Sequence, residues 1–252
     1  MRGRPPAIAV VVIASAIALA GCGSAISSTG APANITKPPI TYVAIGGSES
    51  SELVSRGAIR SAWPQLLYRK AIGTAGTFVD LAQPGETAAE ALVTDPRLLR
   101  SLHPALVTIW LNIADLLGET PVQRFERSLD AVVAAARATG ATVLLANAPE
   151  IEHFALYQAC VDDPAACGEK GRVLPSAAKL AVAVSAYNAA IVSVARSEGA
   201  TVVDVAGALN RAASRDGGVT GLSGNLTALS ASADAAVEAA FLSRLPKSIR
   251  RQ

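Results

Sequence analysis

Residues Thr41–Ser50 read TYVAIGGSES. Tyr42–Gly46 is a short, mostly apolar run, and it breaks at two glycines followed by Ser48. Such a run reads as a strand buried on both faces that ends in a turn. Four later runs have the same character: Phe78–Ala82, Leu106–Leu111, Thr142–Ala146 and Thr201–Val205. Helical patterns separate them at Trp63–Ala71, Thr87–Val93, Val122–Thr139, which stops at Gly140, and Pro175–Ser197, which opens on proline and stops before Gly199. Ala231–Leu245 closes the series. Strands alternating with helices predict a parallel sheet covered on both faces, a three-layer α/β/α sandwich with right-handed crossovers.

The chain ahead of this region has a different chemistry. Arg2 and Arg4 precede an uncharged apolar run, Ala7–Ala20, which closes on Leu19-Ala20-Gly21-Cys22. A basic start, a short apolar stretch and small residues read as a secretory signal. The run falls short of the roughly 20 apolar residues of a spanning helix. LAGC matches the lipobox of bacterial lipoproteins. The expectation is cleavage after residue 21 and acylation of Cys22, so that membrane lipid holds an exported envelope protein; the plainer alternative is an ordinary signal peptide with a chance cysteine. Residues 22–40 are small, polar and proline-containing, a flexible tether. Residues 41–246 make one domain of ordinary size, and 247–252 form a basic tail.

The 22 basic residues, less Arg2 and Arg4, equal the 20 acidic ones. A neutral mature chain has no electrostatic footprint for nucleic acid. In an oxidising compartment Cys160 and Cys167, close in sequence, are expected to form a disulfide. A metal site is the alternative, but two cysteines without nearby histidine ligate zinc poorly, and Asp162 and Asp163 read as a solvated loop. No cofactor is expected.

In open α/β sheets ligands bind beyond the carboxyl ends of the strands. The segments there are Gly46–Ser50, Gln83–Thr87, Asn112–Asp115, a long loop with Glu150, Glu152 and His153, and Ser223–Ser230. In order and spacing they resemble the SGNH (GDSL) hydrolases, serine esterases on a flavodoxin-like sheet. TYVAIGGSES is similar to the nucleophile block, VDLAQPGETAAEAL to the block whose glycine amide faces the oxyanion, PALVTIWLNIADLL to the Gly-x-Asn-Asp block, and SGNLTALS to the last block. The resemblance covers about residues 41–245 and implies the strand order two-one-three-four-five.

The resemblance also implies roles, position by position. Ser48 matches the nucleophile and Gly85 the oxyanion glycine. The aspartate before the nucleophile is Gly47 here, the oxyanion asparagine falls on Ala114, and the aspartate and histidine of the last block fall on Asn225 and Ala228. The chain has two histidines, His103 and His153. His153 follows the fourth strand, where it is either a surrogate base or a loop residue without a role. His103 precedes the third strand, at the opposite pole. Asn112, two residues before Ala114, is a replacement oxyanion donor if strand alternation continues, or a strand-end residue satisfying backbone groups. Asp115 keeps its family position.

A serine hydroxyl is a weak nucleophile without a base. Losing a triad member leaves about 10³–10⁴ over water, and losing an oxyanion donor costs roughly 10²–10³ more. The leading expectation is therefore a catalytically impaired envelope lipoprotein that binds an acylated or glycan ligand. The alternatives are an active esterase or acetylhydrolase using His153, and a structural or assembly scaffold.

Overall fold

Five apolar runs do pair as parallel strands. The computed structural model describes residues 39–51, 61–73, 76–163, 174–215 and 229–250. Its strands are β1 (Thr41–Gly46), β2 (Thr77–Asp80), β3 (Leu106–Trp110), β4 (Thr142–Ala146) and β5 (Thr201–Val203). They form one sheet in the order β2-β1-β3-β4-β5, every neighbour parallel. Strand β3 is buried along its whole length, and β1 and β4 are buried past their first residue. Helices cover both faces, so these strands need no polar alternation. The edge strands β2 and β5 are partly exposed.

The described helices are α1 (Trp63–Ala71), α2 (Ala88–Leu102), α3 (Ile113–Leu117), α4 (Val122–Arg137), α5 (Ala155–Asp162), α6 (Ala177–Glu198), α7 (Val205–Arg215) and α8 (Ala231–Arg244). One layer holds α2, α4 and α6, and the other holds α1, α8 and α7. Helix α6 buries Leu180, Val184, Tyr187, Ile191 and Val194, the stripe of an amphipathic helix. Tyr187 stacks on Phe125 of α4 with ring centroids 4.2 Å apart. On the other face Trp63 stacks on Phe241 at 4.3 Å and tilts against Trp110 at 6.2 Å, which joins α1, α8 and β3.

Two helix starts receive a carboxylate from a distant element. Helix α1 starts after Ala62, which has no polar side chain, and Asp234 Oδ1 of α8 accepts from Trp63 N at 2.9 Å. Burial pushes the Asp234 carboxyl up to about 7. Asp115 Oδ2 likewise accepts from Ala88 N at 2.8 Å, at the start of α2. Thr87 and Glu90 add a reciprocal capping box there. Asp115 thus locks the turn between β2 and α2 to the end of β3.

The sequence expectations need four corrections. Helix α2 runs to Leu102 rather than Val93, because Pro96 sits inside it without ending it. Strands two, three and five stop earlier than their apolar runs suggest, and Val205 begins α7. Helices α3, α5 and α7 are additions. Asp204 Oδ1 accepts from Gly207 N at 2.9 Å, so an N-cap carboxylate starts α7 where the apolar run was read as strand.

Candidate active site

At the carboxyl end of the sheet Gly46 pairs with Trp110 in register. The turns after β1 and β3 therefore leave the sheet side by side. The β1 turn is closed by Ser50 N donating to Gly47 O at 3.1 Å. Its side chains fold back onto its own backbone. A Cβ at Gly46 would lie 2.4 Å from Ser50 Oγ and 3.0 Å from Trp110 O; one at Gly47 would lie 2.8 Å from Glu49 Oε2. Neither glycine has a positive φ. At Gly46 the Ser50 side chain and the Trp110 carbonyl fill the adjoining space, and at Gly47 the nearest atoms are those of the Glu49 carboxylate.

Gly85 is glycine for a different reason. Residues Gln83–Glu86 take the form of a type II turn, with Pro84 second, Gly85 third at φ +78°, and Glu86 N donating to Gln83 O at 3.1 Å. A Cβ there would meet nothing within 4 Å, so conformation alone selects the residue. The turn is fixed to β1 by Gln83 N donating to Gly46 O at 2.9 Å. Gly85 N then donates to Ser48 Oγ at 3.0 Å. Two segments 37 residues apart bring the expected nucleophile and the expected oxyanion amide into contact.

Acidic groups that sequence reasoning did not single out surround this pair. Glu49 is buried, and its Oε1 accepts from Gly47 N at 2.9 Å. Burial pushes its carboxyl up to about 7 against those backbone bonds. Glu86 is buried beside Gly85, and burial, then Asp95, Glu90 and Glu49, push it up to about 8. Asp95, buried in α2, rises to about 6 through desolvation. Both sides of the Ser48–Gly85 contact thus carry a carboxyl that holds its proton into the neutral range.

Asn112 caps α3 and is buried; its Oδ1 accepts from Trp110 Nε1 at 3.3 Å and its Nδ2 has no partner. The alternation argument linking Asn112 to Ala114 does not hold, because Ile113–Leu117 is helical and Ala114 lies within it. A buried amide donor at this edge is still present, on Asn112.

The far side of the sheet edge is built differently. His153 ends a 3-10 turn, Ile151–His153, after β4. Its Nδ1 lies 3.2 Å from Glu150 Oε2, and both side chains are about half exposed, 52% and 46%. Glu150 Oε2 also accepts from Asn210 Nδ2 of α7 at 3.2 Å. Asn147, just past β4, ties to the segment after β5 by donating to Asp204 Oδ1 at 3.0 Å and accepting from Ala206 N at 2.9 Å. Asn188 of α6 holds Ala148 through both its N–H and its C=O. His103 caps α2 in the left-handed region at φ 44°, ahead of β3 and so at the opposite pole.

Cys160 is buried and disulfide-bonded. Cys22, Cys167, Asn225 and Ala228 lie outside the described residues. Among the described residues no group of three or more metal-ligating side chains occurs.

A family model, the GDSL-like lipase/acylhydrolase family, matches residues 40–223. The matched stretch ends at Ser223, the first residue of the SGNLTALS block. No curated protein matches in sequence. Among solved structures, TesA is 23% identical, covers 79% of this chain and 94% of its own, and has a TM-score of 0.56. The psychrotrophic esterase EstA from Pseudoalteromonas sp., inhibited by monoethylphosphonate, is 16% identical with a TM-score of 0.57, over 81% and 94% of the two chains. A catalytic mutant of Axe2, an acetylxylan esterase from Geobacillus stearothermophilus, is 15% identical with a TM-score of 0.61, over 84% and 97%.

Proposed function

The chain belongs to the GDSL-like lipase/acylhydrolase family, and from that premise we propose that it is an envelope lipoprotein, anchored through acylated Cys22, whose site binds an acylated or glycan ligand and turns esters over poorly or not at all. The observation that carries this reading concerns the histidines. The chain has two. His103 stands at the wrong pole of the sheet. His153 is paired with Glu150 on the exposed far side, and β4, which leads to it, is two strands from β1, about 10 Å across the sheet. The Ser48 hydroxyl accepts from Gly85 N, and no described histidine is bonded to it. A hydroxyl without a base keeps its proton and attacks slowly.

Binding needs less than catalysis. The amide of Gly85 and the hydroxyl of Ser48 suit an acyl carbonyl as donors. Acyl groups on a glycan are the ligand class that the acetylxylan esterase likeness suggests. The test is hydrolysis of a short-chain aryl ester by the chain beside Ser48→Ala, together with thermal shift on an acetylated xylo-oligosaccharide. Equal rates and a raised Tm support the reading. Anchoring is tested by Cys22→Ser, which should leave the carbonate-washed membrane fraction.

A second reading, an active esterase with His153 as base, is favoured by the Glu150–His153 pair. A carboxylate on Nδ1 orients an imidazole and leaves Nε2 for a hydroxyl. Turnover lost in both Ser48→Ala and His153→Ala would establish it.

A further inference from the structure

The Ser48 turn contains a buried acid with no role in the reading above. Glu49 is 6% exposed, directly follows Ser48, and reaches back rather than outward. Its carboxylate bonds Gly47 N at 2.9 Å and sits 2.8 Å from the point where a Cβ on Gly47 would stand. The Gly47 backbone has no positive φ, and the Glu49 carboxylate is the nearest group that a larger residue there would have to displace. The same turn then continues through Ser50 N to Gly47 O. Gly47 is thus held from both of its backbone polar groups, and Ser48 is the next residue along.

We propose that Glu49 is a positioning residue for Ser48: its carboxylate, lodged over Gly47, clamps the turn that aims the Ser48 hydroxyl at the Gly85 amide. The inference rests on Ser48 and Gly85 being the working pair of the proposed binding site. A charge-assisted bond to a backbone N–H is stronger and shorter than a neutral one, so the clamp tightens as Glu49 ionises. The charged groups coupled to this region are Glu86 in the β2–α2 turn and, behind it, Asp95 and Glu90 of α2. Burial raises both carboxyls, Glu49 to about 7 and Glu86 to about 8, so both titrate in the neutral range.

The test reads two backbone amides by NMR in the full chain and needs no turnover. The Gly47 amide shift should titrate near pH 7 in the parent, lose that titration in Glu49→Gln, and keep it in Glu86→Gln. Exchange at the Gly85 amide, which reports where the Ser48 hydroxyl sits, should rise about tenfold in Glu49→Ala and in Gly47→Ala, the latter evicting the carboxylate without removing it. Ser48→Ala is the control that frees the Gly85 amide outright. Glu49→Gln, which keeps an acceptor for Gly47 N, should lie between parent and Glu49→Ala. A Gly47 shift indifferent to Glu49→Gln, or a Gly85 amide unchanged in both Glu49→Ala and Gly47→Ala while Ser48→Ala frees it, would overturn the proposal. Discovery of rapid ester turnover would refute the impaired-enzyme reading and leave this inference standing.

Discussion

The two halves of the sheet edge follow opposite physical rules. Around Ser48 and Gly85 the side chains are buried, glycines make room, and three carboxyls are pushed above their ordinary range. Around His153 the side chains are half exposed, and hydrogen bonds to Glu150, Asn210, Asn147 and Asp204 tie loop to helix. The first region spends packing to fix one oxygen against one amide. The second region uses surface polar bonds to stitch β4 to α7. The His153–Glu150 pair is half exposed, so water screens the interaction between its members.

The contrast breaks most visibly at Gly46. Gly46→Val would drive a Cβ into Ser50 Oγ and Trp110 O, and the expected loss is about 1–3 kcal/mol of overpacking. Chemical denaturation measures it. An unchanged midpoint would show that the turn is looser than its contacts imply.

The next effect is pH-dependent. Glu49, Glu86 and Asp95 bind protons more tightly folded than unfolded, near 7, 8 and 6 against ordinary values of 4.5, 4.5 and 3.8, and Asp234 does so near 7. Their raised values contribute stability in full below about pH 4, and it is lost as pH rises through the folded values. Tm should therefore fall between about pH 5 and pH 8, by about 3 °C for each 1 kcal/mol lost. Glu86→Gln should flatten the upper part of the slope. Melting curves across that range check both; a Tm that climbs with pH contradicts the sign.

The smallest effect belongs to the far region. His153→Ala should change stability by less than about 0.5 kcal/mol, as surface substitutions do, and leave the Gly85 amide signal unmoved. A shift at Gly85 would show that the two regions communicate.

Much of this was legible in the sequence. Apolar runs located all five strands, because a sheet covered on both faces needs no alternation. Ser48 and Gly85 were legible from motif order, and Pro84-Gly85 carries the turn that joins them. What stayed hidden depends on tertiary cover. The burial of Glu49 and Glu86 appears only in the folded chain. Asn112 was expected to share a face with Ala114, but a helix begins between them. The start of α7 left a signal, Asp204 three residues before Gly207, that the apolar run through Val205 masked.

The most direct test of the account is aryl-ester hydrolysis by the chain and by Ser48→Ala, assayed side by side near neutral pH. The account predicts equal rates, because the hydroxyl rests on the Gly85 amide with no described histidine bonded to it. Turnover above the Ser48→Ala background would contradict it.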